Sequence, residues 1–400
     1  MLQKIRKIDG VLVVVLLLLM CVSILSIYSV THGREKQDGM HLKMLVFYGL
    51  GFAVFLVTAL FNYRLLVKYA PYFYLLGLGI LLFVSFFGKT INGAKGWIVI
   101  SGVSLQPAEL FKLLLILFLA YILVRKNRET LRFWRDCVPL GLAALLPFAI
   151  VILQNDLGNA LSYLVILIGL LWVGRMRFAH ALIGFLIFGG MALAFILSYI
   201  NYHDATVNFI KNTLGRDHFI ARFDTWLVPE QASSDDSYQV RNAKMAIASG
   251  GMSGEGYLEG STVQSNRVPY MYSDSIFVAV AEEFGFLGAA LLLLLFFILI
   301  HRLVLIALAS RDRAGPFLII GITAMLLYQI LENIGAYIGL MPLTGITLPF
   351  ISFGGTSLII NMACMGIAMS VLLYGQEEEE ELPVLPAVPA MFNGSRSTRG

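Results

Sequence analysis

Charge is the scarcest commodity in this 400-residue sequence: Asp, Glu, Lys and Arg make up 14% of it, against 58% hydrophobic residues. Soluble globular chains carry roughly 25% charged residues, so a soluble protein is excluded and an integral membrane protein is expected. Cysteine is nearly absent too. Cys21, Cys137 and Cys364 sit in or beside apolar runs without CxxC spacing, which argues against a disulfide framework. The six histidines form no HExxH and no i,i+4 pair, so no histidine metal cage is expected. No GxxxxGK[ST] string occurs, so the glycine-rich stretch beginning at Gly250 is not a nucleotide P-loop. The basic residues face lipid headgroups rather than forming one stripe, which argues against a nucleic-acid partner.

What is present is length of apolar sequence. A bilayer core takes about 20 apolar residues per helix, and ten candidates fit: 11–30, 44–61, 72–88, 108–124, 137–153, 157–173, 178–200, 276–300, 316–338 and 345–374. The fold class expected is therefore an all-α polytopic membrane protein. The N-terminus is basic, then apolar, like a signal peptide. Its run is too long for a signal h-region and lacks a cleavage site, so it reads as a retained first span. Counting Lys and Arg in the short loops gives fifteen on the side of the N-terminus and five on the other. By the positive-inside rule both termini are cytoplasmic, and the long segment 201–275 between the seventh and eighth spans is outside. Its amphipathic pieces read as short helices at the outer surface. Residues 1–375 are expected to form one transmembrane domain, and 376–400 an acidic, Pro-rich disordered tail.

Polar residues interrupt this pattern in few places. The stretch Gly250–Gly285 holds a glycine-rich loop, then Asp274 at the lip of an apolar run, then Glu282 and Glu283. Intramembrane charge is expensive and usually marks a site or pathway. A carboxylate at such a lip costs free energy to desolvate unless it has a use; as a helix N-cap it would need no further function. Asp274 and Glu282, at i and i+8, fall near one helix face. Glu109 and Lys112 share a face at i and i+3, either as a helix-associating pair or as a cavity lining. Asp156 could cap the next helix. Trp97 suits an interfacial belt, and Lys95 beside it could meet an anionic headgroup. Glu332 adds a charge to the ninth span. Pro342, Pro349 and Gly354-Gly355 should break the tenth, where Thr344, Ser352, Thr356 and Ser357 could line a groove.

Five strings, in order, give a resemblance: GAKGWI with SLQPAELFKL; QNDLGNAL; SYQVRNAKMAIASGGMSGEG; VPYMYSDSIFVAVAEEFGFLGA; and GLMPLTGITLPFISFGGTSL. Over residues 5–375 the chain resembles the SEDS family (shape, elongation, division and sporulation), the RodA, FtsW and SpoVE proteins, and looks nearer to RodA. The resemblance implies a peptidoglycan glycosyltransferase of the bacterial cytoplasmic membrane that polymerises lipid II on the outer face, serving elongation or division. It implies a class B penicillin-binding protein as partner. The family's essential aspartate falls on Asp274, and other motif positions fall on Trp97, Gln106, Glu109, Lys112 and Asp156. Further substrate contacts are expected from Gln239, Arg241, Arg267, Glu283 and Ser352. Three positions depart from the family pattern. Asn155 replaces a usual proline, YSDS replaces HTDF around Asp274, and Glu332 replaces an uncharged residue. The mechanism expected is inverting transfer with Asp274 as base. Lys95, Lys112, Arg241, Arg267 or a divalent cation (Mg or Mn) held by Asp274 would meet the leaving diphosphate. A lipid-linked oligosaccharide flippase and a non-catalytic scaffold are the competing functions; a one-sided site favours the enzyme.

Overall fold

A computed structural model describes residues 8–35, 37–91, 93–100, 103–126, 130–214, 217–232 and 234–375. The expected tail 376–400 and the basic residues Lys4, Arg6, Lys7 and Arg128 lie outside the described residues. The long helices are α1 (Gly10–Thr31), α2 (Met40–Leu60), α3 (Tyr63–Phe87), α4 (Pro107–Arg125), α5 (Val138–Leu153), α6 (Leu157–Val173) and α7 (Phe178–Asn201). The short helices α8 (His203–Phe209), α9 (Asp217–Leu227), α10 (Ser234–Ser249) and α11 (Ser261–Ser265) follow. Last come α12 (Ile276–Ala309), α13 (Ala314–Ile338) and α14 (Gly355–Tyr374). Among the described residues nine helices are long and apolar enough to cross a membrane, and a tenth, α6, is a shorter apolar helix. The ten expected runs therefore all correspond to helices.

Two expectations are corrected. Residues 89–105, read as a loop in an all-helical chain, form an antiparallel sheet of three strands: β1 (Lys89–Ile91), β2 (Ala94–Ile100) and β3 (Val103–Leu105). The last helix starts at Gly355 rather than residue 345. Prolines at 342 and 349 cannot supply helical N–H groups, and Phe350 takes a left-handed φ of 63°. Irregular backbone inside a membrane protein must find partners from other elements. Here Asn333 Nδ2 donates to the Ile346 carbonyl at 2.7 Å, Ser23 Oγ to Ile351 at 2.7 Å, and the Tyr48 hydroxyl to Phe350.

The core lies along α13 and α14, the latter packed most extensively on α2. By contrast α7 is exposed along almost its whole length, as a lipid-facing helix can be; Tyr199 alone of its residues is buried. The ends of the bundle separate cleanly. At one end Asp9 caps α1, accepting from Leu12 N–H at 3.0 Å, and pairs with Arg302 near the end of α12. Arg64 and Tyr63, opening α3, meet Asp312 just before α13. The sheet, the α5–α6 hairpin, the segment 202–275 and the irregular segment 340–354 gather at the opposite end.

Candidate active site

Asp274 is aimed by a splice between loop and helix. Gly285 has φ 63° and breaks α12 after its first turns. The glycine loop fills the break. Glu255 and Gly256 N–H donate to the carbonyls of Glu282 and Glu283 at 2.9 and 3.2 Å, while Phe286 and Leu287 N–H donate to Gly251 and Met252 at 2.9 and 3.1 Å. Only glycine allows so close an approach. A Cβ on Gly254 would lie 2.1 Å from the Glu283 carbonyl oxygen. The two glutamates fasten the same loop. Glu282 accepts from Thr262 N–H at 2.6 Å and Val263 N–H at 3.1 Å, capping α11. Glu283 accepts from Leu258 N–H at 3.2 Å and from the Ser29 hydroxyl. Asp274 precedes α12 rather than sharing a helical face with Glu282, which corrects that expectation.

Ser275, not Asp274, is the N-cap residue of α12, and its hydroxyl instead donates to the Pro269 carbonyl at 3.1 Å. The Asp274 backbone is held by Asn333, whose Nδ2 donates to its carbonyl at 2.6 Å as well as to Ile346. This amide staples the lip of α12 to the segment 340–354. Gly345, at φ 80°, lies against the carboxylate; a Cβ there would stand 3.8 Å from Asp274 Oδ2. Asp274 is half-buried. Burial pushes its carboxyl up to about 6, opposed by its own amide N–H and by the guanidinium of Arg222.

A second polar group lies at the same end. Asp156 caps α6, accepting from Asn159 N–H at 3.1 Å, and its Oδ2 accepts from Gln106 Nε2 at 2.7 Å and Asn159 Nδ2 at 2.9 Å. Burial raises its carboxyl above the usual range, against those Asn159 bonds. Asn155 closes the α5–α6 hairpin at φ 62°, a conformation closed to proline. Glu109 and Lys112 are buried and paired at 2.8 Å, within electrostatic reach of Asp156. Gln106, Glu109, Lys112 and Asp156 therefore stand together, as four of the sequence-derived residues.

Arg222 on α9 joins the two groups. Its charge is felt together with those of Asp156, Glu332 and Asp274, and Nη1 donates to the Thr344 carbonyl at 3.1 Å. Thr344 in turn donates to Glu332 through its amide N–H at 3.2 Å and through its hydroxyl. Sequence reading missed Arg222 and Asn333 and gave Thr344 only a groove role. Arg222 stands in an amphipathic helix with no motif around it, and its partners lie more than 45 positions away in the chain.

The remaining sequence-derived residues are dispersed. Lys95 and Trp97 are half-buried on β2, Trp97 opposite Lys89 and Lys95 bonded through its N–H to the Gln154 carbonyl at 2.9 Å. Gln239 on α10 faces the Tyr337 hydroxyl. Arg241 is exposed and lines, with Lys244 and Thr225, a cavity of about 440 Å³ between α9 and α10. Arg267 is exposed. Ser352 is buried and closes a turn, accepting from Leu348 N–H at 2.8 Å. Among the described residues no group of three or more His, Cys, Asp or Glu is close enough to hold a metal ion.

An irregular segment walled by helices, with a half-buried carboxylate and a guanidinium at one end of ten apolar helices, defines a polytopic membrane protein with a surface-facing polar site. The chain matches the family described as Cell cycle protein (FtsW, RodA, SpoVE) over residues 7–377. It is 31% identical to Stage V sporulation protein E of Bacillus subtilis over 378 residues, covering 92% of this chain and 98% of that protein. It is 29% identical to the probable peptidoglycan glycosyltransferase FtsW of Trichlorobacter lovleyi, covering 92% and 94%. A chain from a structure described as a peptidoglycan synthase complex coordinating polymerization and crosslinking matches with TM-score 0.76 and 27% identity, over 93% of this chain and 99% of that one. The rod shape determining protein RodA of Thermus thermophilus matches with TM-score 0.66 and 26% identity, over 93% and 98%. The chain belongs to the FtsW, RodA and SpoVE family.

Proposed function

We propose that this chain is a peptidoglycan glycosyltransferase that polymerises lipid II at the outer face of a bacterial cytoplasmic membrane, with Asp274 as general base. The observation that supports this most is the setting of Asp274. It is half-buried and tuned to about 6, at the lip of a membrane helix, with Arg222 beside it. A base works best with a pKa near the working pH, because it must be ionised yet still basic. Membership of a family whose relatives are named as peptidoglycan glycosyltransferases supplies the reaction class.

The substrate is a disaccharide-pentapeptide on a prenyl diphosphate. Asp274 takes the proton from the acceptor sugar's 4-hydroxyl as that oxygen attacks the donor's anomeric carbon. The new O–C bond forms while the bond from that carbon to the diphosphate oxygen breaks, and its electron pair leaves with the diphosphate. Attack from the opposite face inverts the α linkage to β. A class B penicillin-binding protein is the expected partner, crosslinking the strands. Purified protein incubated with lipid II, followed by glycan-strand analysis, tests the reading. Wild type is expected to form polymer, and Asp274→Ala to lose about 10²–10⁴-fold in rate. Undiminished polymer from Asp274→Ala would remove the base assignment, and none from wild type, with or without partner, would remove the enzyme.

A further inference from the structure

A leaving diphosphate needs a cation, and the placement of the basic residues narrows the choice. Lys112 is fully buried and tied to Glu109 at 2.8 Å. Arg241 and Arg267 lie exposed on the outer segment, and Lys95 sits on β2 against the α5–α6 hairpin, bonded through its N–H to the Gln154 carbonyl. Arg222 instead donates to the Thr344 carbonyl at 3.1 Å, one residue from Gly345, which lies against the Asp274 carboxylate. We propose that Arg222 receives the leaving diphosphate, and that Glu332, acting through Thr344, is the positioning residue that keeps it there. The proposal rests on the glycosyl-transfer reading above and adds the group that meets the leaving charge.

The geometry supports both halves. Arg222 is only partly buried, so a ligand can reach it. A guanidinium presents a planar fork that matches phosphate oxygens two at a time. Its Nη1 is fixed on the Thr344 carbonyl at 3.1 Å, and Thr344 is fixed on Glu332 through its N–H and its hydroxyl. Three carboxylates, Asp156, Glu332 and Asp274, share the guanidinium's field before reaction. During transfer the proton lost by the acceptor hydroxyl neutralises Asp274, while the pair released from the anomeric C–O bond charges the diphosphate. A unit of negative charge thus leaves one side of Arg222 as it arrives on the other. The interaction with the diphosphate strengthens in the transition state, which is the requirement for acceleration rather than mere binding.

The test uses the full chain in detergent with two independent readouts: polymer formed from lipid II, and binding of farnesyl diphosphate. Inorganic pyrophosphate and phosphatidylglycerol vesicles are run as competitors. Arg222→Gln is expected to weaken farnesyl diphosphate binding at least about 10-fold and to lower kcat about 10²–10³-fold, with a smaller change in KM. Arg222→Lys keeps the charge without the fork and is expected to fall between, with an unchanged melting temperature. That variant decides the matter if Arg222→Gln fails to fold. Glu332→Gln is expected to lose about 10-fold in kcat in the wild-type background and nothing further in Arg222→Gln. Farnesyl diphosphate binding unchanged in both Arg222 variants, or displacement by phosphatidylglycerol as readily as by pyrophosphate, would overturn the diphosphate assignment. Losses that multiply in the double variant would overturn the relay. A wild-type chain that binds farnesyl diphosphate through Arg222 yet makes no polymer would support the anion site and sink the glycosyl-transfer reading.

Discussion

Asp274 carries two opposed demands, and both can be measured. In its proposed role as base it must be ionised, so activity is expected to fall as pH drops through about 6, the value to which burial lifts its carboxyl. Replacing Arg222 removes the opposing cation and should move that acidic limb to higher pH; a limb that stays in place would mean another group sets it. For stability the sign reverses. A carboxyl raised by folding binds its proton more tightly in the folded state, so its contribution is full below the unfolded pKa and is lost as pH rises through about 6. At pH 8 the wild type therefore bears an ionised, part-buried carboxylate. Asp274→Asn is expected to melt higher there, by at most about 2–3 kcal/mol, and to match wild type near pH 4. Glu109 and Lys112 behave differently. Removing one partner of a buried pair leaves a bare charge and costs about 3–5 kcal/mol. Lys112→Ala should thus lower the melting temperature more than the joint change Glu109→Gln, Lys112→Met. Asp274 was legible in the sequence because a lone acid at the lip of an apolar run stands out. Arg222 was not, because its partners at 156, 274, 332 and 344 come from four separate elements and leave no local spacing.

Among elements, the join between the glycine loop and α12 decides how firmly Asp274 is held. Gly254 at φ 84° and Gly285 at φ 63° lie in the left-handed region, and each faces backbone of the other's segment. Gly254→Ala and Gly285→Ala are each expected to destabilise by more than about 2 kcal/mol, read as a melting shift in detergent. Gly49→Ala and Gly79→Ala, where no atom lies within 4 Å of the new Cβ, should be neutral. Equal behaviour of the two sets would mean that the join does not hold the loop. Apolar length made the ten helices readable, since a bilayer leaves the backbone few other ways to satisfy itself. The sheet at 89–105 was hidden because two glycines and four polar residues in KTINGAKG mask any alternation. The early end of the last helix was hidden for another reason. Its irregular backbone is satisfied by Ser23, Tyr48 and Asn333, from helices far away in sequence.

For the whole molecule, ten alternating helices bring residues 8 and 375 to the same end, where Asp9 N–H meets Met369 Sδ at 3.5 Å. The site occupies the other end. We propose that the Asp9 end is cytoplasmic, as the loop charges, fifteen basic residues against five, and an external substrate both require. Asp274, Arg222 and the irregular segment lie together at the opposite end, so sidedness links the fold to the chemistry. Single-cysteine variants in a chain lacking Cys21, Cys137 and Cys364 test it. Ser265→Cys, exposed on α11, should react with a membrane-impermeant maleimide in intact cells; Arg311→Cys, exposed in the α12–α13 turn, should react only after permeabilisation. The reverse pattern would place Asp274 in the cytoplasm, where a polymerase of external lipid II has no use for it. Labelling of both positions from outside would instead mean that the helices do not alternate as their apolar lengths require.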